Sequence, residues 1–437
     1  MTLINFESFF NIIDGKLEVT TKTRHGINPA TLETLPPVPV STLEDVDKAV
    51  DAAKRVAPVW AGTPIEERKR RVIKYADALL PLADQFGKML TREQGRPLSA
   101  AIAEAKGSAE FLKGFARMSL PERIVEETEY RRVVTRYVPV GICVGIVPWN
   151  FPMTLLTFKL GPALIAGCTI ILKPSPFTPY CGIKMIELAQ QFFPPGVVQV
   201  LSGDDSLGPW LTEHPDVAKV SFTGSTATGI KVLKGSASTL KRVTLELGGN
   251  DPAIICSDVD ITAVAAKVAI KALTNSGQNA MQYERLKKFV AFIESDKLKI
   301  AAGDINDTFP KSSGYFMNPL IIDNPPEDSQ VVVEEPFGPI LPVLTWDTEE
   351  DVITRANNSV NGLGASVWSR DIAQAERMVS QLQAGMLWIN THTELQVDAV
   401  FGGHKHSGFG SELGIEGLKA YCLTQSIVHD KVGASSQ

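Results

Sequence analysis

Residues 219–249 read KVSFTGSTATGIKVLKGSASTLKRVTLELGG, and this stretch decides the fold class. Two short apolar runs, KVSFTG and RVTLELGG, flank a helical segment over 225–235. An apolar strand, a helix and a second apolar strand are typical of a parallel sheet that helices cover on both faces. The stretch therefore predicts a strand–helix–strand unit of an α/β domain.

The same alternation extends upstream as far as Ile142. Further apolar runs read ICVGIV, TIILKPS and VVQVLSG, and helical stretches lie between them over 154–167, 178–193 and 205–213. Ligands of such sheets bind beyond the carboxyl ends of the strands. The residues that directly follow each run are therefore the candidate site residues: Trp149 and Asn150, Lys173 and Ser175, Gly224 and Ser225, and Glu246.

Other segments complete the predicted organisation. Ser41–Glu44 has the pattern of a capping box before a helix, a second helix is predicted over Leu98–Met118, and a strand over Arg131–Pro139. After Asn250 a second block alternates apolar runs with helices over 261–273, 281–294, 349–357 and 373–383. This block predicts a second α/β unit.

Composition excludes several classes of protein. The 437 residues are 44% hydrophobic and 21% charged, which excludes disorder over most of the chain. Their net charge of −6 disfavours a nucleic-acid or anionic-membrane partner. No apolar run reaches membrane-spanning length, the N-terminus has no signal-peptide pattern, and the five scattered cysteines lack metal-site spacing. We expect a cytoplasmic protein with no metal site.

Each candidate residue has a chemical interpretation and a plainer one. The N-terminus of the helix after Gly224 and Ser225 suits a phosphate, or it is a tight turn. Glu246 at the mouth of a buried strand suits a general base, or it pairs with a buried Lys or Arg. Asn150 could donate to an oxyanion or cap a helix, and Glu335 lies in a Pro- and Gly-rich turn that suits a functional loop or an ordinary one.

Together the motifs are far more specific, and the chain resembles the NAD(P)-dependent aldehyde dehydrogenase superfamily over nearly its whole length. The motifs follow the family's order: NPAT (28–31), PWNFP (148–152), KLGPAL with AGCT (159–169), LKPS (172–175), FTGST (222–226), ELGGN (246–250), NSGQ (275–278), EEPFGPI (334–340), NSVNGLGASVWSRD (358–371) and FGGHKHSGFGSELG (401–414). The resemblance implies oxidation of an aldehyde to a carboxylic acid with NAD or NADP as cofactor.

The resemblance also implies roles for individual residues. Asn150 corresponds to the oxyanion amide and Glu246 to the general base. Lys173 with Ser175 corresponds to the adenosine-ribose site, Gly224 and Ser225 to the pyrophosphate site, and Glu335, Phe337 and Trp149 to the nicotinamide end. Lys159 and Glu412 match family positions in a buried network around the active site.

One residue of the family's chemistry is missing. The nucleophilic cysteine follows a Gly-Gln-x motif, and here the corresponding residues are Gly277, Gln278, Asn279 and Ala280. The residues from Gln278 to Arg285 already match a later family segment, so the stretch with the thiol, a strand and a helix is predicted to be deleted. The five remaining cysteines lie in apolar or unrelated elements, and we expect them to be buried small hydrophobes. Pro176 also replaces the family's ribose-binding Glu, which leaves the choice between NAD and NADP open.

The resemblance implies a three-part α/β architecture with a Rossmann-type domain. We expect a dinucleotide-binding domain from 1–120 and 140–248, a catalytic domain over 249–419 that is truncated near 278, and an oligomerisation arm from 121–139 and 420–437. That arm would form a homodimer or homotetramer. Three hypotheses stay open: an aldehyde-oxidising enzyme whose chain is a splice form or an imperfectly assembled gene, a pseudoenzyme that binds a dinucleotide or a partner, and a non-oxidative enzyme that uses Glu246 and Asn150.

Overall fold

The computed structural model describes residues 4–273, 282–310 and 314–431. The deletion point predicted at Gly277–Ala280 lies outside these residues. The first part of the chain contains, in order, β1 (Asn11–Ile13), β2 (Lys16–Glu18), β3 (Thr23–Ile27), β4 (Thr34–Pro39), α1 (Leu43–Gly62), α2 (Ile65–Leu79), α3 (Ala83–Gln94), α4 (Leu98–Arg117), β5 (Arg123–Glu127) and β6 (Arg131–Pro139).

The predicted alternating block follows. It contains β7 (Ile142–Ile146), α5 (Pro152–Ala166), β8 (Thr169–Lys173), α6 (Tyr180–Ala189), β9 (Val198–Val200), α7 (Leu207–Glu213), β10 (Lys219–Thr223), α8 (Thr226–Ala237) and β11 (Arg242–Glu246). The strands β9, β8, β7, β10 and β11 are parallel neighbours in that order. The order reverses between β7 and β10, and open α/β sheets bind ligands at such a reversal.

Side chains alternate between two cores on either side of this sheet. Cys143, Ile170 and Leu172 belong to a core formed with α2 to α6, whereas Val144 and Ile171 belong to a core formed with α1, α7 and α8. Successive residues of a strand point to opposite faces. The continuous apolar runs of the sequence are therefore strands buried on both faces, as expected.

The second part of the chain contains β12 (Ala253–Ile255), α9 (Ile261–Ala272), α10 (Tyr283–Ser295), β13 (Ile300–Ala302), β14 (Leu320–Asp323), α11 (Gln330–Val333), β15 (Ile340–Val343), α12 (Glu349–Asn357), β16 (Gly364–Trp368), α13 (Ile372–Val379), β17 (Met386–Ile389), β18 (Gly408–Phe409), α14 (Gly414–Lys419) and β19 (Cys422–Asp430). This second unit is divided between two three-stranded sheets, β12–β16–β17 and β13–β14–β15, each with its own core.

Helix α9 differs from the other long helices. It is rich in Ala, Val and Ile, yet none of its side chains is buried, and Ile261 and Ile270 are 60% and 69% exposed. An apolar helix normally lies in a core. The helix ends at Ala272, shortly before the predicted deletion point, and none of its side chains is buried against the described residues.

Two peripheral features complete the fold. β5, β6 and β19 form a three-stranded antiparallel sheet from the segments predicted as the arm. The capping box expected at Ser41–Glu44 was misplaced by one residue. Thr42 caps α1 together with Asp45, while the Ser41 hydroxyl is buried and donates to Ser202 O at 2.6 Å.

Candidate functional site

The predicted site residues of the first unit converge because their strands are parallel and in register. β7 pairs Ile146 with Lys173 of β8, and β10 pairs Thr223 with Glu246 of β11. The loops after these strands therefore start at the same edge of the sheet. Trp149 and the following residue of the PWNFP loop lie at the same edge, after β7.

The turn after β10 requires a glycine and leads directly into α8. Gly224 donates its N–H to Glu246 O at 3.0 Å, and a Cβ at this position would lie 2.5 Å from the ring of Phe222. Ser225 caps α8, since its hydroxyl accepts a hydrogen bond from Thr228 N at 3.3 Å. The exposed start of this helix offers backbone N–H groups and a positive dipole end, which suit a pyrophosphate.

Lys173 is a buried cation at the same edge of the sheet, at the end of β8. Within the described residues it has no carboxylate within 4.0 Å, and burial lowers its pKa to about 8, with Asp205 partly opposing the shift. Ser175 is buried two residues further on and its hydroxyl accepts Phe177 N at 3.2 Å. A desolvated ammonium without a counterion is costly. The buried ammonium group of Lys173 is best explained by a ligand that supplies acceptor oxygens.

Glu246 lies in a buried polar network. Its carboxylate is 2% exposed, and neither oxygen has a hydrogen-bond partner in the part of the chain that the structure describes. Burial raises its pKa well above the usual value, and the neighbouring Glu412 adds to this shift while Lys159 opposes it. A desolvated carboxyl group with a raised pKa is suited to general acid–base chemistry.

The cation of this network is Lys159 on α5. Its ammonium group donates to Glu412 Oε1 at 2.8 Å and to Thr223 Oγ1 at 2.7 Å, and the pair is 0% and 3% exposed. Ser221 also donates to Glu412 Oε1, at 3.1 Å. Sequence reasoning missed Ser221 and Thr223, although two polar residues on one face of a buried strand were a usable signal.

The PWNFP loop between β7 and α5 carries Asn150. The Asn150 side chain accepts Phe151 N at 3.0 Å. The residue at the N-cap of α5 is Phe151 rather than Asn150, so the plainer interpretation of Asn150 as the helix cap is wrong. The sequence analysis missed two charged residues here: Arg96, just after α3, donates to the backbone carbonyl of Asn150, and Glu104 of α4 accepts Met153 N in the first turn of α5.

Residues 334–338 of the second unit, which follows Asn250, contact residues of the first unit at the site. Glu335 Oε2 accepts Gly249 N at 3.2 Å, and burial, followed by the nearby Asp251, raises the pKa of Glu335 to about 8. The ring of Phe337, whose φ is +52°, lies 5.5 Å from the ring of Trp149. The structure thus brings Trp149, Glu335 and Phe337 to one place, between the two units.

All five cysteines are free and buried. Cys143, Cys168, Cys181 and Cys422 lie in the core under α2 to α6, and Cys256 lies in the core of the sheet β12–β16–β17. Burial raises the pKa of four of these thiols, Cys143, Cys181, Cys256 and Cys422. A nucleophilic cysteine needs access and a lowered pKa. None of these four thiols is suited to attack a substrate. The pKa of Cys168 is lowered, since the effect of burial, which raises it, is outweighed by hydrogen bonds from Cys143 and the backbone, but this thiol is 1% exposed and so lacks access to a substrate.

Across 4–273, 282–310 and 314–431, no group of three or more His, Cys, Asp or Glu side chains could hold a metal ion. No helix in the same ranges is long and apolar enough to cross a membrane.

Comparison with known proteins places these features in one family. The sequence profile of the Aldehyde dehydrogenase family matches residues 17–287 and 279–427, so the two matches overlap at 279–287. Aldehyde dehydrogenase LUC3 of Fusarium sp is 37% identical over 463 residues, covering 97% of this chain and 99% of that protein. Betaine aldehyde dehydrogenase of Rhizobium etli is 34% identical over 453 residues, covering 91% and 92%.

Solved structures agree with the sequence comparison. The NAD+ complex of aldehyde dehydrogenase from Bacillus cereus superposes with a TM-score of 0.93 at 30% identity, covering 97% of each chain. The indole-3-acetaldehyde dehydrogenase of P. syringae, solved as a cysteine-to-alanine mutant with NAD+ and IAA, also superposes with a TM-score of 0.93. Its identity is 27%, with 97% of each chain covered.

Proposed function

Because this chain belongs to the aldehyde dehydrogenase family, whose members oxidise aldehydes to carboxylic acids with NAD or NADP, we propose that it keeps the coenzyme site and the general base of that chemistry. We further propose that the chain as written lacks the nucleophile. The observation that carries the proposal is the contrast between an intact strand-end site and five cysteines that are all buried in cores.

The coenzyme site fits its ligand in two respects. Gly224 has no Cβ, which would lie 2.5 Å from the Phe222 ring, and it lies just before a helix whose N-terminus suits a pyrophosphate. Lys173 is a buried ammonium without a carboxylate partner among the described residues, which suits the hydroxyl groups of an adenosine ribose. We assign Ser175 and Ser225 to the same contacts, and Trp149, Glu335 and Phe337 to the nicotinamide end.

The chain's own residues have separate tasks in the family reaction. When bound, the coenzyme accepts a hydride. The side-chain amide of Asn150 donates to the oxygen of the reacting carbonyl, and the carboxylate of Glu246 takes a proton from the attacking group. Lys159 holds Glu412 beside Glu246 and so keeps the charge around that base fixed.

Three observations support loss of the nucleophilic segment. The two family matches overlap at 279–287, where Ala280 takes the place of the cysteine. The alignment with the Fusarium relative extends over 463 residues, more than the 437 of this chain. Helix α9 presents apolar side chains that nothing in the described chain covers. Coenzyme binding need not fail with the thiol, because the P. syringae relative is in complex with NAD+ as a cysteine-to-alanine mutant.

A second candidate function is a pseudoenzyme that binds the dinucleotide without turnover, and the intact coenzyme site favours it. A non-oxidative reaction of Glu246 and Asn150 is the third candidate.

We also propose a homodimer or homotetramer through the arm, because β5 and β19 are outer strands with exposed Ile124, Val125 and Val428. A cytoplasmic location suits five free, buried thiols.

Calorimetry with NAD and with NADP tests the coenzyme site. We expect binding of at least one coenzyme, and a loss of about 10-fold in affinity for Lys173→Ala, the size of one charge-assisted hydrogen bond. Lys219→Ala is the matched control, because Lys219 is equally buried but lies at the opposite end of its strand. Folded protein that binds neither coenzyme would contradict the proposal.

A further inference from the structure

Arg96 and Glu104 form a buried ion pair outside the residues that we assign to coenzyme or substrate. Arg96 follows Gly95, which ends α3 in the left-handed conformation with φ +94°, and Glu104 lies on α4. Their side chains are 2% and 3% exposed. Burial of two charges is expensive, and apolar residues of similar volume often give equal or greater stability. The contacts of the pair therefore indicate what role it has beyond stability.

Both members of the pair bond to the PWNFP loop and the helix that follows it. The Arg96 guanidinium donates to the carbonyl oxygen of Asn150 and lies 4.7 Å from the ring centre of Phe151. Glu104 Oε1 accepts Met153 N at 2.9 Å and Thr154 N at 3.1 Å, in the first turn of α5. The pair thus holds the loop on both sides of Pro152.

The direction of these bonds matters for the site. The carbonyl of Asn150 is fixed by a charged donor, and the start of α5 is fixed by a charged acceptor, so the backbone between them has little freedom. Trp149, which meets Phe337 across the two units, directly precedes this fixed segment. A planar guanidinium with several donors can impose such an orientation, whereas a flexible ammonium imposes less of it.

We propose that the Arg96–Glu104 pair is a positioning device that sets the orientation of Trp149 and Asn150 at the nicotinamide end of the coenzyme site. The inference rests on the proposed function, because it takes that end of the site as the place of the nicotinamide. It predicts a selective defect. Contacts to the adenosine and pyrophosphate, which belong to the loops after β8 and β10, do not depend on the pair.

Binding of ADP and of the intact coenzyme separates this role from general stability. For Arg96→Ala and Glu104→Gln we expect the affinity for NAD or NADP to fall about 10-fold, and the affinity for ADP to change less than about 2-fold. Arg96→Lys, which keeps the charge, should recover part of the loss. Arg68→Ala is the matched control, because Arg68 is a buried arginine that donates to the carbonyls of Ile165, Ala61 and Thr63 and not to this loop.

The fluorescence emission of Trp149 gives a second readout that needs no ligand. It is obtained by subtracting the emission spectrum of the same protein carrying Trp149→Phe. We expect Arg96→Lys and Glu104→Gln to shift this emission and Arg68→Ala to leave it unchanged. Equal losses for ADP and the coenzyme, or an unchanged Trp149 emission in both pair variants, would overturn the inference. If the unmodified chain bound neither ADP nor coenzyme, the proposed function would fail, while the emission would still decide whether the pair holds the loop.

Discussion

Replacing Lys159 with Met should strongly destabilise the first unit. The side chain is fully buried, and its loss leaves Glu412 and Glu246 together in the core without their cation. Removing one partner of a buried pair costs about 3–5 kcal/mol, because an uncompensated charge remains. For a unit of about 150–250 residues, each kcal/mol lowers Tm by about 2–4 °C, so we expect a loss of about 6–20 °C.

Differential scanning calorimetry measures this loss, and a second variant tests its cause. The double variant Lys159→Met with Glu412→Gln removes both charges, and we expect it to recover at least half of the lost Tm.

Lys184→Met is the matched control for the calorimetry. Lys184 is 1% exposed, but its partner Glu187 is 16% exposed and can be solvated when the lysine is removed. We expect a clearly smaller loss of Tm there. The reasoning would be refuted if Lys159→Met melted within about 2 °C of the unmodified protein, less than 1 kcal/mol on this scale, or if the double variant were less stable than the single one.

Three further outcomes follow from the site. Lys173→Met should raise Tm at pH 7 while it weakens coenzyme binding. Because burial lowers the pKa of Lys173 to about 8, the charged side chain destabilises the folded state fully below that pH. In a pH series of melting curves, the gain in Tm of the variant should therefore fade toward about pH 10.5. The purified chain should form no NAD(P)H with simple aldehydes, and alkylating agents should change nothing in a spectrophotometric assay; alkylation-sensitive turnover would show that one of the five cysteines acts after all. Inserting the family's segment with its Gly-Gln-x-Cys motif after Gln278 should cover α9, raise Tm and give turnover that Glu246→Gln abolishes. Equal melting temperatures with and without the segment would indicate an evolved loss.

The residues at the ends of strands were predictable, because apolar runs and the helical stretches between them are local features of the sequence, and their alternation indicates parallel strands. Lys173, Gly224 and Glu246 each follow or end such a run, and the structure places them at one edge of the sheet. Their assignment to ribose, pyrophosphate and base stays a prediction.

The ion pair at the PWNFP loop was not predictable in this way. Glu104 lies in a segment rich in Ala, Lys and Glu that has the composition of a solvent-exposed helix, and Arg96 lies in the short connection between α3 and α4. α4 packs against α5, and both side chains are buried in the folded chain. The division of the second unit into two small sheets also escaped prediction, because the order of strands in a sheet depends on long-range pairing that periodicity does not record.

The short strand β18 has a consequence for synthesis of the chain. It pairs antiparallel with β11, placing Gly408 opposite Glu246 and Phe409 opposite Leu245. It therefore covers the β11 edge of the sheet that contains β7 to β11. A ribosome completes β11 long before β18, so the nascent first unit folds with an open edge that can pair with other chains. Products of early termination would keep that edge, and a chaperone or protease that binds unpaired strands could distinguish them from full-length chains.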